Sequence, residues 1–531
     1  MISRDVLKKI FVAFCFAALC LAAYANSLLN GFLMDDYPML IKNRHLGSPS
    51  FLQLVVPEQA QQLLYFRPVT HLLNLITYSW FKENPVGYHL FNLSLFYLAC
   101  LSLYELLTLT IKDRHIPLLT CVFLCTHPIN GLLVNYKNAG GLTLLILAAN
   151  LSLIHFLTAG EHRNKIPHYA LGLTWLLVAL LCHEIVLAFP LYLAAIVWYL
   201  KKGTLKDILS SFWMIGIVFI PYLFFRVNFF EVKANLIGTI SSLHISLLNF
   251  FATYVQLILW YISKLLTLKG IVLMWGTPVI KNPAASWGLV GLGGMGFLGV
   301  LGRLAQKTKR DEISLAIAWI GIGFLPVAWA CLSRPLFGII IEPHWLIFSS
   351  IGYFLLLAIL LAKLRNFINS KLYAVLLVSI GLFYLTGTWN YNYLWGDQKR
   401  YCRYWQALSP YAYGPNFWLG YAYLEEGNYR QARDPFTRIL KSGVRDFETL
   451  GNLGLVEYRL GNFKTALNFF QESLAMNPRY ADTHYYIGDI YLKSGQLKMA
   501  EKFFIQAVRL DPSLIDSQKK LTLIRQRQGV R

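Results

Sequence analysis

The first 400 residues hold roughly ten runs of 17 or more mostly apolar residues, each long enough to cross about 30 Å of hydrocarbon as a helix. No soluble core needs so many. Of 531 residues, 56% are apolar and 14% charged, and the charges crowd between these runs and into the last quarter. The pattern predicts an all-α chain: a polytopic membrane domain over residues 1–395 with about 11 to 13 spans, then a polar domain over 396–531.

A net charge of +21 could suggest nucleic acid, but the cations gather in short loops between apolar runs. Arg4 stands with Lys8 and Lys9, Lys112 with Arg114, Arg163 with Lys165 and Lys201 with Lys202, and further clusters fill 303–310 and 363–371. This is the positive-inside signature, so membrane lipid rather than nucleic acid is the expected surroundings. Spans are expected near 10–29, 88–111, 117–132, 140–158, 169–182, 185–200, 209–229, 285–302, 313–332, 345–362 and 372–389, with two crossings or none between Glu231 and Lys281. The count is odd either way. Everything after Trp389 then lies opposite the N-terminus, in the periplasm of a bacterial inner-membrane protein. The first run, from Ile10 to Leu29, is long and lacks a small-residue cleavage site, which favours a retained span over a signal peptide. The eight cysteines show neither paired spacing nor CxxC, so no disulfide framework or zinc site is expected.

The polar tail repeats itself at a period of 34. Gly420, Gly454 and Gly488 align, as do Gly427, Gly461 and Gly495, then Ala432, Ala466 and Ala500, then Phe436, Phe470 and Phe504. Pro478 and Pro512 close the second and third units, where the first has Val444. The spacing resembles tetratricopeptide repeats: an α-solenoid of units near 413–446, 447–480 and 481–514, with a leading helix at Trp405 and a charged last helix. One reading is a peptide groove lined by Asn452, Tyr485 and Tyr486; the other is an assembly module with no peptide client.

The first loop, Asn26 to Asn43, holds Asp35 and Asp36 side by side at the membrane surface, where desolvating two carboxylates is costly without a partner or a task. One carboxylate suits a general base for a hydroxyl acceptor, and its neighbour can orient it or hold a cation. Asn26, Phe32, Asp35, Asp36, Ile41 and Asn43 stand at N-x5-F-x2-DD-x4-I-x-N spacing. A second block runs Tyr65, Arg67, Pro68, Val69 and Thr70, then Asn74, Gly87, Tyr88, His89, Leu90 and Asn92. Together the two blocks resemble the transmembrane-and-tetratricopeptide-repeat O-mannosyltransferases and their bacterial relatives in the GT-C glycosyltransferase superfamily. Weaker matches are His127–Pro128–Ile129, His183 and Glu184 before Pro190, and Glu342 through Ile351 and Gly352. The chain departs from the pattern at Leu132 and Gly140, where the family carries a glutamate and an arginine, and at His344 and Trp345.

The resemblance implies a membrane glycosyltransferase that moves one sugar, mannose in the O-mannosyltransferases, from a polyprenyl-phosphate carrier to a protein or glycan at the outer face. Asp35 would act as base with Asp36 in support, and a divalent cation is left open as the cofactor. The leaving phosphate needs cations. Arg67, Arg226, Arg334, His344 and Lys281 are the candidates, and His89, His127, His183, Glu184 and Glu342 form the supporting polar network. Two other readings stand beside this one. The first is a non-catalytic scaffold that binds envelope proteins through its repeats. The second is a lipid-linked-sugar flippase, which would need paired broken helices of which the sequence gives no sign.

Overall fold

The computed structural model describes residues 4–41, 66–159, 163–201, 205–229, 244–305, 311–331 and 339–527. Lys42, Asn43, Tyr65 and Arg334 lie outside them. The chain divides into two units, Met1–Asp397 and Gln398–Arg531.

In the first unit the helices are α1 Arg4–Tyr24, α2 Pro68–Phe81, α3 Pro85–Thr110, α4 His115–Thr126, α5 Leu132–Asn135, α6 Gly140–Thr158, α7 Ile166–Cys182, α8 Phe189–Lys201, α9 Leu205–Phe229, α10 Leu247–Thr267, α11 Pro283–Ala305, α12 Glu312–Ala330, α13 Ile347–Leu364 and α14 Ser370–Leu394. A short antiparallel pair, β1 Trp275–Thr277 and β2 Ile339–Ile341, aligns Trp275 with Ile341. Among the described residues seven helices are long and apolar enough to cross a membrane, or eight if one bent pair counts as a single span. Shorter apolar helices cover Ile166–Cys182, Glu184–Leu200, Trp213–Val227 and Glu312–Ala328.

The core lies where α3 meets α4 and α6, where α6 meets α7, and where α12 meets α13, α13 also packing on α4. Close approach explains several glycines. A Cβ on Gly352 would come within 2.7 Å of the Ile320 backbone nitrogen, and one on Gly141 within 2.1 Å of Thr70 Oγ1. Outward, the unit is apolar. The candidate spans Val6–Ser27, Pro283–Arg303 and Ser370–Leu394 are only 17%, 6% and 11% buried within the protein, and they expose Phe14, Trp287, Phe297 and Val378 among others.

One expected span is interrupted, and a break expected between two others is capped in the same manner. The run expected at 117–132 bends by 62° between Thr126 and Pro128. Pro128 has no N–H to continue the ladder, and His127 Nδ1 accepts from the Ile129 N–H at 3.1 Å to cap the new turn. Its Nε2–H then donates to the Leu265 carbonyl at 3.1 Å, so His127 is a buried structural cap rather than part of the site. His183 caps Ile185 in the same way at 3.2 Å, dividing α7 from the helix that follows. Between Glu231 and Lys281, where two crossings or none were expected, the described residues contain one long apolar helix, α10.

The second unit consists of α15 Gln398–Leu408, α16 Tyr413–Glu425, α17 Tyr429–Lys441, α18 Phe447–Arg459, α19 Phe463–Met476, α20 Ala481–Lys493, α21 Leu497–Leu510 and α22 Ile515–Arg527. Each helix packs on the next. The 34-residue period is a packing rule: a Cβ on Gly420, Gly454 or Gly488 would meet the ring of Phe436, Phe470 or Phe504 at 2.8, 2.5 or 3.1 Å. Ala432, Ala466 and Ala500 are wholly buried beside those rings. Gly427, Gly461 and Gly495 turn the chain between paired helices at φ of +74°, +84° and +76°, a left-handed conformation that a side chain resists. Helices α19 and α21 end just before Pro478 and Pro512, with Asn477 and Asp511 forced to extended backbone. Val444 has no such effect in the first repeat, which instead turns at Gly443 with φ +87°.

Candidate functional site

The first loop leaves α1 through a turn at Ala25–Ser27 and re-enters helical structure at Tyr37. Between them it is pinned by asparagines. Asn392 of α14 donates to Asn26 Oδ1 at 2.7 Å and to the Ala23 carbonyl at 2.9 Å, and Asn30 donates to the Asn392 carbonyl at 2.9 Å. The two aspartates differ. Asp36 is wholly buried, while Asp35 is half-buried. Asp36 accepts from the Leu33 N–H through Oδ2 and from the Asn138 N–H through Oδ1, both at 3.1 Å, with Lys137 Nζ 4.0 Å away. Burial pushes its carboxyl up to about 6, against the pull of Lys137 and those two N–H groups. Tyr136, also buried, is held well above the ordinary phenol range by burial and by the negative charges of Asp35, Asp36 and Glu342. Tyr136 therefore feels charge from both the first loop and Glu342.

A second group of charges forms an ion cluster. Arg67, at the start of α2, forks onto Glu184 through Nε at 3.0 Å and Nη2 at 2.8 Å. Arg226, at the end of α9, comes within 3.8 Å of the same carboxylate and donates to Tyr222 Oη at 3.0 Å. His183 Nδ1 is 3.5 Å from Glu184, and His344 Nε2 is 3.1 Å from Glu342. Both imidazoles are buried, and His183 Nε2 and His344 Nδ1 have no hydrogen-bond partner among the described residues. Because His183 Nδ1 accepts from Ile185, its Nε2 carries a proton that faces nothing described. A buried donor without an acceptor beside two guanidiniums is arranged for an anion.

Arg67, Arg226 and His183 thus gather on Glu184, His344 pairs with Glu342 and acts on His183, and Tyr136 feels the charges of Asp35, Asp36 and Glu342. Lys281, by contrast, is exposed. His89 is buried between the carbonyls of Val134 at 3.1 Å and Asn30 at 3.2 Å, a brace for the first loop. No group of three or more metal-binding side chains occurs among the described residues. Two of the departures from the family pattern, Leu132 and Gly140, also have places. Leu132 is buried in α5. Gly140 has no room for a side chain, because a Cβ would meet Asn92 Oδ1 and Leu73 Cδ2 at 3.0 Å each.

Sequence reasoning missed Lys137. The signal was present: a single lysine three residues before the Gly140–Gly141 pair, inside an otherwise uncharged stretch from Ile116 to Gly160.

In the repeats the groove expectation changes. Tyr486 lies flat on Phe470, rings 5.7 Å apart at 5°, and its ring is 5.3 Å from Tyr458. Tyr485 packs 5.9 Å from Phe504, with Lys520 Nζ 4.9 Å from its ring centre. Both rings are packing elements between helices, and Asn452 is half-buried beside them in sequence register. A buried polar knot supports them: Asp489 accepts from Tyr458 and Lys520, with Lys493 at 3.3 Å. These partners outweigh burial and hold the Asp489 carboxyl below its ordinary range.

Residues 416–442 and 445–513 match family models described as tetratricopeptide repeat, so the C-terminal unit carries such repeats. Among curated proteins none matches the chain significantly. Similar solved structures include MamA, 20% identical over 25% of this chain and 73% of that one, with a TM-score of 0.24. YrrB, described as a TPR protein with an unusual peptide-binding site, is 21% identical over 25% and 69%, with a TM-score of 0.23. The Cut9–Hcn1 hetero-tetramer of the APC/C is 13% identical over 90% and 99%, with a TM-score of 0.25.

Proposed function

We propose that the chain is a GT-C type membrane glycosyltransferase that transfers one sugar, mannose in the first instance, from a polyprenyl-phosphate carrier to a protein or glycan on the extracytoplasmic side. The observation that carries the reading is a cation cluster whose buried histidine N–H has no acceptor among the described residues, in a chain whose first loop carries the half-exposed Asp35. Asp35 takes the proton of the acceptor hydroxyl. The acceptor oxygen attacks the anomeric carbon, the bond from that carbon to the phosphate oxygen breaks with inversion, and the polyprenyl phosphate leaves with the bonding pair. Arg67, Arg226 and the His183 N–H meet the charge that develops on that phosphate. His344 stands near it on the Glu342 side. The chemistry needs only an acceptor hydroxyl and the donor.

Membrane embedding is supported by apolar faces on α1, α11 and α14 that water would not tolerate. The odd crossing count is retained if α10 lies along the outer surface. Near its start, Asn249 accepts from Ser286 at 3.0 Å and Thr253 from the Ile280 N–H at 3.1 Å. Near its end, the Leu265 carbonyl accepts from His127, and Tyr261 donates to the Leu346 carbonyl at 3.1 Å. Both sets of partners belong to the end of the bundle that holds the site, and Leu247, Phe251, Leu259, Ile262 and Leu266 form one exposed apolar stripe. Cysteines placed at Leu247 and at Leu266 are both expected to react with a membrane-impermeant maleimide applied from the extracytoplasmic side. A crossing helix would hide one of them until the membrane is opened.

Tetratricopeptide repeats commonly bind peptides or proteins, and a periplasmic stack would deliver an acceptor polypeptide to the outer face. The scaffold reading is favoured by Leu132, which fills the place of the family's glutamate with a buried apolar side chain. Transfer of radiolabelled mannose from polyprenyl-phosphate mannose into envelope material separates the two. Wild type is expected to incorporate label, and Asp35→Asn to lose at least about 100-fold of that rate, the usual scale for a positioned base. Equal background in both would leave the scaffold.

A further inference from the structure

Lys137 sits in the break between α5 and α6 and is only 2% exposed. Its ammonium donates to the Gly31 carbonyl, lies 4.0 Å from Asp36 Oδ2 and stands 5.5 Å from the centre of the Phe32 ring. All three partners belong to the first loop. The lysine's own backbone is fixed from the opposite side: Asn92 donates to the carbonyls of Tyr136 at 3.0 Å and Lys137 at 3.2 Å. Asn74 donates to Asn138 Oδ1 at 2.7 Å. A buried ammonium is costly unless it is paired, and here every named contact goes to the loop.

Asp36 is correspondingly occupied. One oxygen takes the Asn138 N–H, and the other takes the Leu33 N–H and faces Lys137. Both oxygens are thus engaged by the fold, and the side chain is wholly buried. The half-exposed neighbour Asp35 is the carboxylate within reach of a substrate.

We propose that Lys137 is a positioning residue whose ion pair with Asp36 clamps residues 31–36, so that Asp35 is held in register with the acceptor while Asp36 takes no part in proton transfer. The clamp rests on the transferase reading for its catalytic meaning, but its effect on loop order can be measured without turnover. It is also distinct from phosphate binding: the contacts of the Lys137 ammonium are with Gly31, Phe32 and Asp36 of the loop.

The test uses the full chain in proteoliposomes, with polyprenyl-phosphate mannose as donor, and compares wild type with Lys137→Met, Lys137→Arg and Asp36→Asn/Lys137→Met. Lys137→Met is expected to lower kcat about 100-fold, the scale of a misplaced catalytic group, while donor KM stays within about threefold. Lys137→Arg restores most of kcat because the charge returns. The double variant recovers about tenfold over Lys137→Met, because no unpaired carboxylate remains buried. In parallel, hydrogen exchange across Leu28–Ile41 should quicken about tenfold in Lys137→Met and stay near wild type in Lys137→Arg. Unchanged kcat in Lys137→Met overturns the proposal, and so does a rise in donor KM alone, which would make Lys137 a phosphate ligand. If wild type transfers no sugar, the transferase reading fails; unchanged exchange in Lys137→Met then overturns the clamp separately.

Discussion

Replacing Gly454 by leucine is expected to lower the melting temperature of the Gln398–Arg531 segment by about 10 °C or more. The reason is geometric. A Cβ at position 454 would sit 2.5 Å from Phe470 Cδ1, inside van der Waals contact, and Phe470 is 1% exposed with no space to yield. Overpacking of this kind costs about 3 kcal/mol, and each kcal/mol is worth roughly 3–5 °C in a segment of this size. Gly461→Ala supplies an internal scale: its φ of +84° costs an alanine about 1–2 kcal/mol without any clash, because no atom lies within 4 Å of the added Cβ. Thermal unfolding followed by circular dichroism checks both. A Gly454→Leu melting temperature no lower than that of Gly461→Ala would mean that the glycine and phenylalanine register is not what joins the paired helices.

The same register explains why the repeats were legible from sequence and the first unit only partly so. A solenoid reuses one local contact, so Gly420 against Phe436 recurs as Gly454 against Phe470 and Gly488 against Phe504, and the period of 34 exposes it. What the period does not encode is direction. Tyr485 and Tyr486 are expected groove residues, yet Tyr486 stacks on Phe470 and Tyr485 packs tilted against Phe504, because a large ring on a half-buried position gains more from a neighbouring helix than from water. In the first unit, apolar length marked where helices run and the break at His183, but not the bend at His127. His127 and His183 each turn a ring nitrogen back to cap a new helix, a role that composition does not announce. The cations show the same limit. Arg67, Arg226, His183 and His344 were legible as charged or polar groups at the ends of apolar runs. Lys137 was hidden because its partner, Asp36, is 101 positions away in the chain and meets it only once α3 and α6 have packed.

Of the site variants, Arg67→Ala is expected to have the largest effect after loss of Asp35: a fall of about 100- to 1,000-fold in sugar transfer, the cost of removing one donor aimed at developing charge. Arg67 reaches the site as a fork, with Nε and Nη2 on the two oxygens of Glu184. That fork fixes the direction in which the guanidinium faces a phosphate. Arg67→Lys should therefore recover little, since an ammonium cannot hold both oxygens of Glu184 and present a further donor in a fixed direction. Glu184→Gln separates anchoring from charge. It leaves Arg67, Arg226 and the His183 N–H in place, adds one net positive charge to the cluster, and loosens the fork. Donor KM should then fall or hold while kcat drops about tenfold, because the phosphate is attracted as before but the cations no longer sit in register with the transition state. Initial rates across donor concentration for the three variants decide the matter. If Arg67→Ala and Arg67→Lys both keep wild-type kcat and KM, the cluster is a structural tie between α2, α9 and the turn at Glu184, and the leaving phosphate is met by other groups.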